Sequence, residues 1–427
     1  MCEKLNEYIL KNARIIDPGR NIDCKGDIGV DAEGRFAEPA ALKAPKSVDL
    51  SGKVLSPGFI DIHVHLRHPG NTLAETIATG TAAAAAGGFT SIVAMPNTKP
   101  AADTVGAIEL LHRLTAREAV VRVLPCGCMT VGSAGEEMAP IGSLKSAGVV
   151  ALSDDGKCVQ DHALMRHIVE YAKAFGLPIL DHCEEAKLSE GGVMHEGKWS
   201  VLLGMNGIPA AAEEIIIARN IIFARKINWK IHMQHVSTKG SVRMLRAARA
   251  EGVPVTGEAT PHHLTLTDEC IKKFDTNYKM NPPLRSEEDR LALIEGVSDD
   301  TITVIATDHA PHTRTAKMVE FDYAPCGIIG LETAFPLCFT ELVKKEVISL
   351  PRLIKKMTVG PAEVIGIDNY SMAPGNAADF TVIDPEAEYV IDKETFKSKS
   401  RNTPFDGRKV SGRVVMTAVG GKIVHQA

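Results

Sequence analysis

Phe59-Ile60-Asp61-Ile62-His63-Val64-His65-Leu66-Arg67 is a nearly continuous apolar run that turns polar at its end. A strand that is hydrophobic at successive positions has no face to offer water. It belongs in a parallel sheet covered on both sides, rather than in a half-solvated antiparallel one. Seven further runs rich in β-branched residues follow, at 90–96, 120–125, 149–153, 178–181, 230–236, 253–256 and 301–306. Helical patterns separate them. The segment 161–176 sets Leu164, Ile168, Tyr171 and Phe175 on one face and is ended by Gly176 and Pro178. Segments 211–228 and 241–252 are similar, with Ser241 the expected N-cap of the second. Eight strand–helix units over roughly 300 residues fit an α/β fold of the (β/α)8 TIM-barrel type better than an open doubly wound sheet. No G-x-G-x-x-G turn follows the first run, so a dinucleotide fold gains no support.

The two ends of the chain read differently. Turn signals at Asp17-Pro18-Gly19 and 31–34 break the N-terminal part into short strands, and runs at 379–383, 388–391, 412–419 and 422–424 do the same at the other end. Neither end alone buries much surface. The expected organisation is a barrel over 58–370 with 1–57 and 371–427 joined in one small β-sandwich domain. The alternative is hairpins packed separately on the barrel.

With 427 residues, 44% hydrophobic and 24% charged, the chain has the make-up of a soluble globular protein. The net charge of -5 gives no bulk attraction to nucleic acid or an anionic membrane, though a local Arg or a metal can still hold an anionic substrate. Residues 1–10 carry charges and lack the apolar core of a secretory signal, and no apolar stretch reaches membrane-spanning length. Nine cysteines, an odd number, do not suggest a disulfide framework, and a reducing cytoplasm is the expected compartment. Cys126-Gly127-Cys128 reads as buried small residues rather than a metal pair.

The polar residues fall at the C-terminal ends of the runs, the face that carries active sites in such barrels. His63 and His65 alternate along the first strand and so share a side. Other ends read Ser153-Asp154-Asp155-Gly156, Asp181-His182-Cys183, Gln234-His235-Val236 and Thr307-Asp308-His309-Ala310-Pro311-His312. One His on an apolar strand is ordinarily a core residue; His or Asp at the same end of several strands points to metal ligation. The working set is His63, His65, Asp155, His182, His235 and Asp308, a nitrogen and oxygen donor set suited to zinc, with manganese or cobalt as substitutes. Six ligands exceed the need of one tetrahedral ion, so two ions sharing a carboxylate are favoured over one. Asp154 and Asp155 both compete for the bridging position. His262, His263 and Asp61 are expected to support the ligands.

These stretches, with Met95-Pro96-Asn97-Thr98, Pro261-His262-His263-Leu264, Asn281-Pro282-Pro283-Leu284-Arg285 and Gly327-Ile328-Ile329-Gly330-Leu331-Glu332-Thr333, resemble the amidohydrolase superfamily and, within it, the class I bacterial dihydroorotases. The resemblance runs along nearly the whole chain. It implies the barrel and the two-ended β domain, and it implies Asp155 as the bridge, where hydantoinase-like relatives carry a carboxylated lysine. Lys157 is read as surface. It further implies substrate contacts at His65, Arg67, Asn97, Asn281 and His312, and at the Cys326-Gly327 wall, where the family commonly has Phe before the Gly. Arg67 offers a planar fork for a carboxylate, and Asn97 and His312 are expected to donate to it.

The activity implied is the reversible cyclisation of N-carbamoyl-L-aspartate to L-dihydroorotate in pyrimidine biosynthesis, by hydroxide held on the metal with Asp308 as general base and acid. A homodimer and an association with aspartate transcarbamoylase are implied too. The rival readings are a hydantoinase, dihydropyrimidinase or allantoinase-like cyclic amidase, and a silent dihydroorotase-like subunit supporting a partner such as aspartate transcarbamoylase.

Overall fold

All eight apolar runs become strands in the computed structural model, which describes residues 6–427. The first five residues of the expected 1–57 segment lie outside the described residues. The strands are β1 (Phe59–Val64), β2 (Phe89–Ala94), β3 (Arg122–Gly127), β4 (Ala151–Leu152), β5 (Ile179–Asp181), β6 (Ile231–Met233), β7 (Val255–Ala259) and β8 (Val304–Ile305). They pair in chain order, every pair parallel. The edges meet where Val64 lies beside His309 and the His65 N–H donates to the His309 carbonyl at 2.9 Å. The sheet is thereby a nearly closed (β/α)8 barrel.

Burial on both faces explains the continuous hydrophobic runs. Ile60, Ile62, Val93, Met95, Cys126, Ala151, Leu180 and Val304 fill the interior together with Ala362 and Val364 from the helix Val359–Val364. Phe59, Ile92, Ile179, Ile231 and Val255 face outward against the helices. Local chemistry starts those helices where the chain leaves the sheet. Asp161 caps His162–Ala174 through the N–H groups of Ala163 and Leu164, and Thr238 caps Lys239–Ala250 through that of Ser241. Ser241, expected as a cap, is thus the residue that Thr238 caps. The helix His162–Ala174 buries Met165, Ile168, Val169 and Ala172 and leaves Tyr171 exposed. Leu164 and Phe175 pack partly buried against the same core, and Tyr171 meets Phe175 edge-on near the surface.

The strands of the two ends form one curled sheet. Val54–Pro57 pairs parallel with Tyr8–Asp17 on one side and antiparallel with Phe380–Val390 on the other, Phe380 opposite Pro57. Lys409–Val419 and Lys422–Gln426 extend it. The runs at 379–383 and 388–391 are one strand, Phe380–Val390, whose pairing shifts register between Asp384 and Glu388. Leu10, Ile15, Val30, Phe36, Leu55, Phe380, Val382 and Met416 make its core. Thr381 and Thr417 hydroxyls donate to the carbonyls of Gly88 and Ala85 and tie the sheet to the barrel. Among the described residues no helix is long and apolar enough to cross a membrane.

Phe59 is fully buried, stacked on Phe335 with ring centroids 5.5 Å apart and edge-on to Phe89. Phe59→Ala is expected to cost about 3–5 kcal/mol, read as a lowered midpoint of urea unfolding followed by circular dichroism. A midpoint unchanged from wild type would mean the cluster relaxes around the lost ring.

Candidate active site

A break in strand geometry aims the first two histidines. Ile60 and Ile62 point into the barrel while Phe59 and Val64 point outward, so simple alternation fails between them. Pairing with β2 shifts register between Asp61 and Val64. Asp61, fully buried and raised to about 7 by that burial, holds the irregularity by accepting from the N–H groups of His63 and Thr307. His63 and His65 then share the mouth, as their spacing suggests. Three other residues at the mouth have left-handed backbone: Arg67 (φ 55°), His235 (φ 31°) and Asp308 (φ 46°). Such conformations cost about 1–3 kcal/mol each and concentrate at functional sites.

Five of the six expected ligands form two overlapping groups, His63 with Asp155 and His235, and His63 with His65 and Asp308. His182 completes the set, its Nδ1 lying 2.7 Å from His235 Nε2 and 3.7 Å from Asp155 Oδ1. Asp154 turns away to accept from the Met129 and Thr130 N–H groups and the Thr130 hydroxyl, so the structure brings Asp155, and not Asp154, to the cluster. Burial opposes the charge on Asp155, but His63, His65 and His182 overcome it and hold the carboxyl well below its usual range. Lys157 is exposed, and Cys126 and Cys128 are buried, as read from the sequence.

The hydrogen-bond network decides what this cluster accepts. Asn97 Nδ2 donates to Asp155 Oδ2 at 3.2 Å, which leaves its Oδ1, 2.9 Å from His65 Nδ1, as an acceptor. His65 therefore carries its proton on Nδ1 and turns the Nε2 lone pair toward Asp308 Oδ1 at 3.0 Å and Asp155 Oδ2 at 3.3 Å. Likewise His63 Nδ1 lies 2.6 Å from Glu258 Oε1, while its Nε2 is buried without a hydrogen-bond partner, 3.3 Å from Asp155 and 3.6 Å from Asp308. His235 Nδ1 is equally unpartnered. Lone pairs and carboxylates converging on one small buried volume fit a divalent cation with nitrogen and oxygen ligands.

Two acidic residues in this network are given no role by the sequence reading, although Glu184 falls in a stretch that carries the family resemblance. Glu258 lies next to the end of β7, two residues past the run read as 253–256; its other oxygen lies 3.0 Å from His232 Nε2. Burial raises its carboxyl, but His63 and His232 bring it down to about 2. Its position, two residues beyond Thr256 on the same side of the strand, is the one clue available. Glu184 lies 2.7 Å from His182 Nε2 and accepts from Asn281 Nδ2 at 2.6 Å. His262 and His263 are buried beside the site, His263 Nε2 donating to the Pro282 carbonyl at 3.0 Å.

A cleft of about 320 Å³ opens over the cluster, and His65, Arg67, Asn97, Asn281, His312, Cys326 and Gly327 all line it. Arg67 donates from Nε to the Pro311 carbonyl at 3.2 Å. The expectation that His312 donates to a bound carboxylate meets an obstacle. Its Nε2 lies 2.7 Å from the Cys326 carbonyl, which only accepts, so the proton sits there. Burial and the Arg67 charge push its pKa down to about 3, so Nδ1 carries no second proton at neutral pH. Asn97 is likewise engaged within the ligand cluster. The contact at Cys326 is made by its backbone and is independent of the side chain. Gly327 has φ 150°, and a Cβ there would lie 2.6 Å from the Ala310 carbonyl oxygen.

The Dihydro-orotase-like family model matches residues 52–241. The dihydroorotase of Pelotomaculum thermopropionicum is 48% identical over 98% of this chain and 99% of its own length. That of Endomicrobium trichonymphae is also 48% identical, over 98% of this chain and 99% of its own. Among solved structures, the L-hydantoinase (dihydropyrimidinase) from Arthrobacter aurescens matches with a TM-score of 0.88 at 25% identity, covering 99% of this chain and 96% of that one. The dihydropyrimidinase from Brevibacillus agri NCHU1002 matches with a TM-score of 0.85 at 24% identity, covering 98% and 95%, and shares the fold.

Glu258→Gln is expected to weaken divalent-metal binding about 10–100-fold by loosening the orientation of His63. Competition against a chromogenic chelator measures it, and an affinity equal to wild type would show that His63 is held by other means.

Proposed function

The chain belongs to the dihydroorotase family, and we propose that the cleft over the His–Asp cluster is where it interconverts N-carbamoyl-L-aspartate with L-dihydroorotate and water. As a dihydroorotase it is a hydrolase of a cyclic amide that serves pyrimidine biosynthesis. The observation that carries this assignment is the 48% identity to dihydroorotases over nearly the full length of both chains. The hydantoinase-like reading rests on fold and on 25% identity. It is further disfavoured by Asp155 in the position where those relatives carry a carboxylated lysine. The silent-subunit reading is opposed by the presence of all six candidate ligands in one cluster.

In this reading His63, His65, Asp155, His182, His235 and Asp308 would hold two zinc ions, and Glu258, Asn97 and Glu184 fix the imidazoles. When bound, the metal polarises the ring carbonyl and acidifies water to an apparent pKa of about 7. The remaining chemistry belongs to the chain. In the hydrolytic direction the water oxygen bonds to the ring carbonyl carbon, and Asp308 takes the proton that water loses. As the C–N bond breaks, Asp308 delivers that proton to the departing nitrogen, and cyclisation retraces the path. Arg67, tethered at Nε, keeps both terminal nitrogens free to grip the substrate carboxylate in a fork. Asn281, bonded to Glu184, lines the opposite side of the cleft beside Gly327. The barrel of 58–370 supplies these groups, and the described part of 1–57 with 371–427 makes the β domain. The expected homodimer and the association with aspartate transcarbamoylase rest on the family resemblance alone.

The test follows the loss of ultraviolet absorbance of L-dihydroorotate with zinc-loaded protein, a chelated control, and hydantoin and dihydrouracil in parallel. Metal-dependent loss with dihydroorotate alone is expected; opening of another ring instead would reassign the substrate. Asp308→Asn is expected to keep most of its metal and lose turnover, whereas turnover at the wild-type rate would remove Asp308 as the proton carrier.

A further inference from the structure

The walls of the cleft are braced from behind by a segment that lies far from them in sequence. Residues 398–402 cross from the C-terminal part of the chain to the barrel mouth. Asn402, 4% exposed, uses its whole side-chain amide there. Its Oδ1 accepts from the His312 N–H at 3.0 Å, and its Nδ2 donates to the carbonyls of Ala310 at 2.9 Å and Gly327 at 3.0 Å. Its own carbonyl accepts from the Ile329 N–H at 3.1 Å. The Ser400 hydroxyl lies 2.9 Å from the His312 carbonyl and 2.7 Å from that of Ala74. Ser398 and the Lys399 N–H bind Glu75 and anchor the segment behind.

Only an amide satisfies this position. Two carbonyl oxygens, from Ala310 and Gly327, face one another and need donors, while the His312 N–H beside them needs an acceptor. Asn402 therefore ties together two adjoining pieces of wall: 310–312, which carries His312 and the Pro311 carbonyl that holds Arg67, and 326–327 beside it, where the Ala310 N–H also donates to the Ile328 carbonyl at 2.9 Å. The reacting end is anchored separately. Asp308 meets His65, and the next carbonyl, that of His309, accepts from the His65 N–H.

We infer that Asn402 is a positioning residue for recognition of the substrate's carboxylate-bearing end, acting through Arg67, His312 and Gly327 without touching substrate or metal ligands. This rests on the function proposed above. Asn402→Asp keeps the size and the bond from His312 but turns a carboxylate oxygen on the two carbonyls. The Michaelis constant for dihydroorotate is expected to rise on the order of tenfold or more. The expected fall in kcat is much smaller, and metal content stays at the wild-type level. Ser400→Ala, which removes only the hydroxyl bonds, should shift the Michaelis constant in the same direction by less, and it stands in if the Asn402 variant does not fold. An unchanged Michaelis constant in both, or a joint loss of kcat and metal, overturns the inference. Wild-type protein that leaves dihydroorotate intact sinks the assigned reaction instead. The wall is then probed by calorimetric titration with orotate, a planar carboxylated ring, and binding by Asn402→Asp as tight as by wild type overturns the inference.

Discussion

Negative charge and lone pairs crowded together in a place without water set the terms for this molecule. Asp155 and Asp308 are nearly buried and stand within reach of imidazole lone pairs whose orientation is already fixed by other acceptors. An arrangement of this kind repels itself unless a cation enters. The rest of the barrel mouth can be understood as what holds it open against that repulsion. Glu258 and Asn97 fix the ring protons, Asp61 stabilises the register shift in β1, and His235 and Asp308 take left-handed backbone. Protein interiors tolerate such strain when the packing around them over-determines the geometry, and eight strands wrapped by helices supply that packing.

The barrel was legible because its strands are buried on both faces, and the sequence cannot hide a run such as 59–66. The candidate ligands were legible because His and Asp recur at one end of run after run. What escaped has physical reasons. A single acidic residue such as Glu258 has no periodicity, and its strand ends in Gly257-Glu258-Ala259, which reads as the start of a loop. The choice between Asp154 and Asp155 depended on which way a short strand faces, and the contacts of Thr130 decide it. On 162–174 Ile168 is buried and Leu164 and Phe175 pack against the core as expected, and only Tyr171 turns outward, its hydroxyl making a long aromatic side chain suited to the surface. His312 was read by its type as a donor, yet the Cys326 carbonyl takes the proton it has to give.

Asn402 illustrates a different limit. Its partners lie 75 to 92 residues away in the chain, so no local pattern marks it. Only the fold shows that the amide of one residue stands between two carbonyls and an N–H of another segment. The terminal sheet is legible in outline for the opposite reason. Its strands have turn signals of their own, and only their joining across the barrel, Phe380 against Pro57, had to be inferred.

That joining has a consequence for how the protein is made. The strand Val54–Pro57 emerges from the ribosome before the barrel, and its neighbour Phe380–Val390 emerges after it. Contacts of such long sequence separation form slowly and late. The 398–402 segment arrives later still, so every barrel strand is synthesised before the last support of the cleft exists. A nascent or prematurely terminated chain can thus assemble most of its hydrophobic core and still present an unfinished binding surface. The bracing of the cleft walls in this architecture waits until residues 398–402 have been made.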